Sequence, residues 1–594
     1  MVSKSKEKKF VYLGLIFDTE KCLVISKINN HRLTKTILVK KGETLDISIS
    51  KWITQLTKKA DFKIIGAGIL GDSEKLAVSS RLWLEHDIVP INLKRKYRID
   101  KVEVLRLRLE AKHLFDKNGV LKVNTKRSQE VAVQDLVSLQ EYRKITSRQR
   151  FNALVTLAKE YKELDGRLIF INATPQGGGV ALMRHALIRL YRLFDCNVRW
   201  YTLLNKNTEF FNITKKKFHN ILQSVAPSDL VLTEEDIQVY KNEIKRNVKC
   251  LKSAIKNANV IVIDDPQTSG LIPYIKKINP KSKIIYRSHI HLDTDLMSIK
   301  KTPQNTTWNF LWSVIKQCDI FVSHPIEEFV PHNVPKRKVV FMPAVTDPLD
   351  GLNKKLSSIQ TRYYLNMFNT VLIQNKQKPI DSSRPYIVQI ARFDPSKGII
   401  DVIEAYRALR LRMEKRGVDK KLIPQLVIAG HGAVDDPEGN PILVETLNII
   451  NMYRYHLYAK DIKIARLFHS DQLLNVLLRE SNIAMQLSYK EGFEVKVTEA
   501  VSKGKPVIAY NSGGIPLQIQ HGRNGYIVDP GDTDRVAHYL YKLLTDHELY
   551  KRMSKTCVRE LNNDFFTMAN ATKFLQLANH LLHNKRTYIQ KALE

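Results

Sequence analysis

The stretch YIVQIARFDPSKG, residues 386–398, decides the fold of this chain. It opens with a short apolar run that is rich in β-branched residues, which is typical of a buried strand. A turn that contains Pro395 follows, and Gly398 ends this turn just before a helical segment. A buried strand that passes through a tight turn into a helix is the repeating unit of a doubly wound parallel sheet.

The same alternation of strands and helices extends over two separate parts of the chain. In the first part the strand-like runs are RLIFINA (167–173), VIVI (260–263), KIIY (283–286), DIFV (319–322) and KVVFM (338–342). In the second part they are YIVQIA (386–391), LVIAG (426–430), IAMQL (483–487), PVIAY (506–510) and GYIV (525–528). We therefore predict an α/β protein in which two Rossmann-like domains face each other across a cleft.

The remaining patterns divide the 594 residues into five predicted regions. Strand-like runs at 11–17, 22–28 and 62–70 indicate an extra N-terminal α/β domain, and one long helical stretch is predicted from about residue 101 to residue 163. The predicted regions are the N-terminal extension domain (1–150), the first Rossmann-like domain (151–350), a polar linker (351–384), the second Rossmann-like domain (385–550) and C-terminal helices (551–594).

The formal net charge of the chain is +35, from 95 Lys and Arg residues against 60 Asp and Glu residues. Such a field favours anionic partners, and nucleic acid is one class of them. The basic residues are spread along the chain, with small clusters at 4–9, 94–98 and 215–217, and neither a zinc-finger spacing nor an RNP-like aromatic motif accompanies them. We therefore interpret the charge as a solvated basic surface and expect nucleic-acid binding to be weak.

Cysteine use and hydropathy indicate a cytoplasmic enzyme with no membrane partner. The five cysteines lie far apart and form no CxxC pair, which fits reduced thiols better than a disulfide or zinc scaffold. No apolar run approaches the roughly 18–20 residues that span a bilayer. The basic N-terminus is not followed by the apolar stretch of a secretory signal.

Two segments carry groups that suit an anion. Arg392 and Lys397 lie in ARFDPSKG (391–398), where a bidentate guanidinium and a compact ammonium at one strand end fit a phosphate or diphosphate. The alternative is a pair of surface charges. The segment TPQGGG (174–179) follows a strand and opens a helix, so its backbone N–H groups can approach an anion, although such turns also occur as tight turns alone.

A third segment, EGFEVKVTEA (491–500), suits a sugar. Glu491 follows a predicted strand, and a carboxylate at a strand end can hold sugar hydroxyls. Glu499 lies inside the following helix and can do the same or hold a ribose. The backbone N–H groups of Gly492 and Phe493 begin that helix and face an anion. Carboxylates on a helix are usually only solvated, but a pair that spans a strand–helix junction is more specific.

These motifs together resemble the family-4 retaining glycosyltransferases, which have the GT-B fold. The resemblance rests on ARFDPSKG, EGFEVKVTEA and KPVIAYNSGGIP (505–516). The usual family wording is EGFG, and the fourth residue here is Glu494. With that departure, the segments SRLWLEHDIVPINL (80–93), DDPQTSGLIP (264–273) and YRSHIHLD (286–293) are similar to the configuration-retaining trehalose phosphorylases of fungi and to the trehalose-synthesising glucosyltransferases of prokaryotes.

The resemblance runs from about residue 80 to residue 550 and implies a role for individual residues. Arg392 and Lys397, with the backbone of Gly178 and Gly179, would hold the phosphate of glucose 1-phosphate or free phosphate. The residues implied on the sugar side are Glu491, Gly492 and Phe493 for the transferred glucose, Glu494 and Glu499 beside the donor, His289 near the anomeric carbon, and Asp265 and Gln267 along the cleft. The C-terminal helices would pack back on the first Rossmann-like domain.

The implied reaction is the reversible phosphorolysis of α,α-trehalose to glucose and α-glucose 1-phosphate. A retaining glycosidase needs two carboxyls about 5–5.5 Å apart, one of them a nucleophile, and no motif here predicts the second. The resemblance implies front-face return instead, in which the leaving phosphate takes the incoming proton. It implies neither a cofactor nor a metal, although the HIH of residues 289–291 can also be read as metal ligands.

Two alternatives remain open. A trehalose synthase that uses nucleotide-glucose and glucose would place its diphosphate on the same Arg392 and Lys397 and a ribose on Glu499; Glu494 favours the phosphorylase. A catalytically idle relative would bind only a sugar or a partner, and the presence of Arg392, Lys397, Glu491 and Glu499 together argues against it. The expected partners are trehalose, glucose and phosphate or glucose 1-phosphate, and a homodimer is possible.

Overall fold

The computed structural model describes residues 9–28, 31–58, 60–71, 74–204, 207–432 and 439–583. The chain divides into two compact units. The first contains Met1–Asn124, Ala132–Phe151 and Lys354–Arg362, and the second contains Thr125–Val131, Asn152–Asn353 and Tyr363–Glu594. No helix in the described ranges is long and apolar enough to cross a membrane.

The first unit is built on a five-stranded sheet. Its strands are β1 (Lys9–Phe17), β2 (Lys21–Ile28), β3 (His31–Leu38), β4 (Phe62–Leu70) and β5 (Val89–Asn92). Their order is β3-β2-β1-β4-β5, with β1, β2 and β3 antiparallel and with β4 and β5 parallel to β1. Its helices are α1 (Leu45–Thr57), α2 (Lys75–Leu84), α3 (Lys101–His113) and α4 (Leu139–Ile145).

Two contacts hold this unit together. Helix α3 lies directly on the sheet because Gly14 and Gly68 have no side chain; a Cβ at these positions would lie 2.0 Å from Val104 O and 2.3 Å from Leu107 O. The carboxylate of Asp87 is fully buried between two lysines, with Lys63 Nζ and Lys354 Nζ each 2.7 Å away. The segment Lys354–Arg362 therefore completes a unit whose other residues lie far earlier in the sequence.

The prediction of one helical stretch from 101 to 163 is wrong. Helix α3 ends at His113, and helix α5 (Arg148–Glu163) begins only after the short helix α4. Between them the chain turns at Asp116–Gly119, where Asp116 Oδ1 accepts hydrogen bonds from the N–H groups of Asn118 and Val120. Gly119 takes a φ of +78°, which a helix does not contain.

The second unit contains two parallel sheets of six strands each. The first sheet comprises β6 (Leu168–Asn172), β7 (Val198–Thr202), β8 (Val260–Asp264), β9 (Lys283–Arg287), β10 (Ile320–Ser323) and β11 (Val339–Phe341), in the order β11-β10-β9-β8-β6-β7. The second comprises β12 (Tyr386–Ile390), β13 (Gln425–His431), β14 (Ile462–Leu467), β15 (Ile483–Gln486), β16 (Val507–Tyr510) and β17 (Gly525–Val528), in the order β14-β13-β12-β15-β16-β17.

Helices cover both sheets and bury their apolar faces against the strands. Those of the first Rossmann-like domain are α6 (Gly179–Leu193), α7 (Thr208–Asn212), α8 (Glu234–Asn257), α9 (Asp265–Ser269), α10 (Ile272–Ile278), α11 (Thr294–Ser298) and α12 (Pro303–Ile315). Those that follow are α13 (Ser358–Gln374), α14 (Ile399–Lys415), α15 (Gly439–Ile450), α16 (Tyr453–His456), α17 (Asp471–Glu480), α18 (Val495–Ser502), α19 (Thr533–Thr545), α20 (His547–Arg559) and α21 (Thr567–Leu582). The predicted α/β class with two Rossmann-like domains is confirmed.

Three further features bear on the site. A π-helix, Ile213–Asn220, follows α7 directly, and short 3-10 turns occur at Glu327–Phe329, Lys336–Lys338, Pro395–Lys397, Lys420–Leu422, Ala459–Asp461, Pro516–Gln518 and Asn563–Phe565. The segment 351–384, predicted as a linker, contains the 17-residue helix α13. Helix α21 lies against the first Rossmann-like domain, where Tyr191 donates a hydrogen bond to Ala571 O at 2.8 Å and Phe170 contacts Phe574 edge to face.

Candidate active site

The chain order of the strands brings the sequence motifs together. In a doubly wound sheet, ligands bind beyond the carboxyl ends of the strands where the strand order reverses. The second sheet reverses between β12, which precedes ARFDPSKG, and β15, which precedes EGFE. The first sheet reverses between β6, which precedes TPQGGG, and β8, which precedes DDPQ. All four segments line one cleft with a volume of about 320 Å³.

Two cations of the second domain define the anion side of the cleft. Arg392 lines the cleft with about a third of its side chain exposed, and its Nη2 lies 3.7 Å from Oδ2 of Asp394. Lys397 lies in the 3-10 turn that follows Asp394 and is buried. Lys215 reaches the same carboxylate from the π-helix of the first domain, at 3.0 Å. Burial works to raise the pKa of Asp394, but Lys215 and Arg392 outweigh it and hold the pKa well below its usual range.

Lys397 is shared between two carboxylates. Its Nζ pairs with Oε2 of Glu491 and lies 3.1 Å from Oε2 of Glu494. Burial raises the pKa of Glu491 to about 7: Lys397 lowers this pKa and Glu494 raises it again, so the effect of burial is not offset. Glu494, beside Lys397 and the start of helix α18, keeps a pKa below its usual value. The two carboxylates and the ammonium therefore carry a net charge between zero and −1 near neutral pH.

Glu494 holds an uncommon backbone conformation. Its φ is +59°, in the left-handed region that disfavours side chains other than glycine. It also caps helix α18, and its Oε1 accepts a hydrogen bond from the N–H of Lys496 at 3.3 Å. A carboxylate of the chain itself thus occupies the helix N-terminus, which could otherwise bind an external anion.

The N-terminus of helix α6 faces the cleft from the first domain. Gly178 caps this 15-residue helix and Gly179 begins it, and both line the cleft. A Cβ built on either glycine meets no atom within 4 Å. The N–H groups of the first helical turn are therefore accessible to an anion, and the helix dipole favours negative charge there.

His289 is held in one tautomer by the end of strand β8. Arg184 forms a bidentate pair with Asp264, at 2.6 and 3.0 Å, and Asp264 Oδ1 lies 3.0 Å from Nε2 of His289. Because Asp264 is ionised, Nε2 carries the proton that it donates. Burial, with the adjacent Arg287, lowers the pKa of His289 to about 4, so the ring is neutral at pH 7. Its Nδ1 is then an acceptor, and it has no hydrogen-bond partner among the described residues.

Asp265 and Gln267 line the cleft beside His289. Asp265 has a φ of +61°, and its Oδ1 accepts a hydrogen bond from the N–H of His289 at 2.7 Å. Burial, together with Asp264, raises the pKa of Asp265 to about 7. The buried Oε1 of Gln267 accepts no hydrogen bond from the part of the chain that the structure describes. These atoms can take hydrogen bonds from sugar hydroxyls, whose donors would satisfy the buried acceptors.

Gly492 brings the two domains into contact. A Cβ at this position would lie 2.3 Å from the carbonyl oxygen of His289. The side chain of Phe493 packs into an apolar cluster, stacked on His324 with ring centroids 5.6 Å apart, so only its backbone is available to a ligand. His324 in turn donates through Nε2 to His289 O at 3.1 Å. One contact between the domains therefore runs through Gly492, His289 and His324, and the Lys215–Asp394 ion pair is another.

Glu499 is the predicted residue that the structure does not bring to the cleft surface. Its side chain is 2% exposed. Its Oε1 accepts a hydrogen bond from Thr346 at 3.1 Å, and its Oε2 pairs with Lys496 Nζ at 2.7 Å. Lys496 lines the cleft in its place.

Among the cleft-lining residues that sequence reasoning missed are Lys215, His324, Asp394 and Lys496. Lys215 was included in a basic cluster and interpreted as solvated surface, because a π-helix has no sequence signature that would show its inward face. His324 follows strand β10 at the carboxyl end, so its position in the sheet could have identified it. Lys496 and Glu499 lie three residues apart on one helix, which is a spacing at which side chains meet.

Two family models match the chain. The model described as "Trehalose synthase, N-terminal domain" matches residues 170–331, and the model described as "Glycosyl transferases group 1" matches residues 372–557. The two matches correspond to the first and second Rossmann-like domains, and together they include every predicted site residue.

Named relatives cover the same region. The chain is 45% identical over 448 residues to a trehalose phosphorylase of Pleurotus pulmonarius, which covers 74% of this chain and 60% of the relative. It is 33% identical over 446 residues to a trehalose synthase of Thermococcus litoralis, which covers 74% of this chain and 96% of the relative. The chain thus aligns with about 60% of the length of the fungal protein and nearly the whole archaeal one.

Solved structures agree on the fold. A sucrose-phosphate synthase from Thermosynechococcus elongatus superposes with a TM-score of 0.52 at 15% identity, covering 71% of this chain and all of that one. The paired Rossmann-like domains, the motifs at both switch points and the similarity to the archaeal protein along almost its full length agree with one another. The chain belongs to the trehalose synthase and trehalose phosphorylase family of GT-B glycosyltransferases.

Proposed function

We propose that this protein catalyses the reversible phosphorolysis of α,α-trehalose to glucose and α-glucose 1-phosphate, with retention of configuration. The observation that carries this proposal is the arrangement around Lys397, whose ammonium is shared by Glu491 and Glu494. Because these two carboxylates balance the charge of Lys397, the positive charge of ARFDPSKG that remains for a ligand suits one phosphate rather than a diphosphate. The 45% identity to a protein named trehalose phosphorylase, against 33% to one named trehalose synthase, supports the same choice.

The phosphate would lie between Arg392 and the N-terminus of helix α6. A guanidinium and the backbone N–H groups of a helix N-terminus hold the attacking phosphate during phosphorolysis, and in the reverse reaction they stabilise the charge that develops on phosphate as the bond between glucose and phosphate breaks. Lys397 would hold Glu491 against the transferred glucose. These groups orient the reactants and stabilise charge. In phosphorolysis the attacking phosphate gives its proton to the oxygen of the departing glucose, and in synthesis the leaving phosphate takes the proton of the incoming glucose hydroxyl.

The glucose units would be held from the first domain by buried acceptors. His289 offers its neutral Nδ1, and Gln267 offers Oε1. Leaving such acceptors unpaired in a closed cleft costs about 1–3 kcal/mol each, and sugar hydroxyls remove that cost. We also propose that residues 151–350 and 385–550 are the two functional halves, with 1–150 as an extension, 351–384 as their connection and 551–594 as the closing segment.

The test is incubation of the purified protein with trehalose and inorganic phosphate. Glucose and α-glucose 1-phosphate should form in equal amounts, and the anomer should be assigned by NMR. A parallel incubation with UDP-glucose and glucose should give no trehalose. Absence of product from trehalose and phosphate, with the protein folded, would contradict the proposal.

A trehalose synthase that uses a nucleotide-glucose donor is the second candidate. One observation favours it: the chain aligns with 96% of the length of an archaeal protein named trehalose synthase, but with only 60% of the fungal phosphorylase. Trehalose formation from UDP-glucose and glucose, without phosphorolysis, would establish this candidate. Binding of trehalose or glucose without either reaction would indicate an idle relative.

A further inference from the structure

The last carboxylate of EGFEVKVTEA, that of Glu499, is buried rather than open to the cleft. A nucleoside diphosphate carries a ribose, and the ribose hydroxyls donate hydrogen bonds to carboxylates in Rossmann-like domains. Glu499 is the carboxylate that the motif supplies, but Lys496 Nζ lies 2.7 Å from its Oε2 and Thr346 Oγ1 lies 3.1 Å from its Oε1. Lys496 lies between Glu499 and the cleft, with its own side chain 14% exposed.

The start of the same helix is covered as well. Helix α18 begins at Val495, and the N–H groups of its first turn could bind an external phosphate if no side chain capped them. Glu494 places its own carboxylate there, with Oε1 3.3 Å from the N–H of Lys496 and Oε2 3.1 Å from Lys397 Nζ. A second phosphate at this position would meet a like charge.

We infer that Glu494 and Lys496 are the specificity-determining residues that exclude nucleoside diphosphate donors from this cleft and restrict it to a single phosphate. The inference rests on the proposed function and names the residues that set its donor class. Glu494 fills the position of the second phosphate, and Lys496 engages the carboxylate that would hold the ribose. Both residues act through exclusion, so their removal should add a ligand rather than only subtract one.

The Glu494→Gly variant is structurally favourable. Glycine adopts a φ of +59° without the cost that other residues incur, so this substitution opens the helix N-terminus and relieves backbone strain together. Glu494→Ala removes the carboxylate but keeps the Cβ, which separates the two effects. Lys496→Met keeps the length of the side chain and releases Glu499 from its ion pair.

The experiment measures binding of UDP and ADP to the whole protein by calorimetry, in the wild type and in the Glu494→Gly, Lys496→Met and double variants. The double variant should bind UDP or ADP at least tenfold more tightly than the wild type, and Glu494→Gly alone at least threefold. Glu494→Ala should share that gain. Lys490→Met, which removes another cleft-lining cation without touching Glu499, should show no gain.

Equal nucleotide affinity in the wild type and in the folded double variant would overturn the inference. If the double variant fails to fold, the absence of a threefold gain in Glu494→Gly overturns it instead. Phosphorolysis of trehalose by the wild type is assayed alongside. If the wild type does not phosphorolyse trehalose but the variants gain nucleotide binding, only the proposed function is contradicted. If the wild type does phosphorolyse trehalose but the variants gain no nucleotide binding, only the inference is contradicted.

Discussion

Lys215 Nζ lies 3.0 Å from Asp394 Oδ2, so a lysine of the first Rossmann-like domain forms an ion pair with a carboxylate of the second. Both side chains are at least nine-tenths buried. Lys215→Ala should lower the free energy of unfolding by about 3 kcal/mol, because it leaves a buried carboxylate short of a partner, and should raise the KM for phosphate. Urea unfolding and initial rates measure the two effects. Lys216→Ala, an exposed neighbour, should change neither.

Arg392 should carry phosphate affinity with little effect on the fold. Its side chain is about one-third exposed, and the buried carboxylate of Asp394 keeps its closer partner Lys215, so Arg392→Ala should mainly remove a charge-assisted contact to phosphate of about 1.5–3 kcal/mol. That loss corresponds to a rise of about 10- to 100-fold in the KM for phosphate. Arg523→Ala, at an exposed ion pair with Glu560, is the control. An unchanged KM in Arg392→Ala would place the phosphate elsewhere.

Two glycines of the cleft should respond differently to alanine. Gly492→Ala places a Cβ 2.3 Å from the carbonyl oxygen of His289, so the two domains must separate slightly, and a displacement of about 1 Å can reduce turnover about 100-fold. Gly178→Ala meets no atom within 4 Å. It should therefore keep the Tm and raise only the KM for phosphate. Equal kcat values for the two variants would show that the contact at Gly492 does not matter.

Asp265 should make stability depend on pH. Its pKa is about 7 in the folded protein and about 3.9 in the unfolded chain. The folded state thus binds the proton more tightly, so this stabilisation is complete below about pH 4 and is lost as the pH rises to about 7. Asp265→Asn should remove that loss, and its Tm relative to the wild type should increase between pH 5 and pH 8. A Tm difference that stays constant over this range would contradict the assignment.

A matched substitution isolates this effect. Asp229→Asn changes an exposed carboxylate in the same domain and should give a Tm difference that does not vary with pH. Asparagine tolerates the left-handed conformation of this position, so Asp265→Asn should add little backbone strain. A Tm difference that does not vary with pH therefore does not arise from the titration of Asp265.

The strand–helix alternation could be predicted because parallel strands are buried on both faces and form continuous apolar runs. The prediction of one helix across residues 101–163 was wrong. The segment is rich in Leu, Glu, Lys and Arg, which favour a helix, and this composition obscures a local turn signal. Asn118-Gly119 is a turn dipeptide, and it marks the position where the chain leaves the helix. Within the polar segment 351–384, helix α13 shows that a polar composition does not exclude regular secondary structure.

Where a motif lies at a strand end, as for Arg392, Lys397 and Glu491, the sequence could predict which residues line the cleft, while their roles remain predictions. The position of a side chain could not be predicted where neighbouring residues of the chain compete with a ligand for its polar atoms. Glu499 was expected at the ligand, but Lys496 and Thr346 take both of its oxygens. Lys215 depends on the relative position of two domains whose contact residues are far apart in sequence.

The burial of Asp87 between Lys63 and Lys354 has a consequence for synthesis of the chain on the ribosome. At about 5–20 residues per second, Lys354 emerges roughly 10–40 s after residue 151. During that interval the sheet of the first unit can form with only Lys63 beside a carboxylate that is later fully enclosed. The nascent unit therefore lacks the contact from Lys354 to Oδ1 of Asp87 until a segment made some 200 residues later returns to it, and a fragment that stops at residue 151 would never gain that contact.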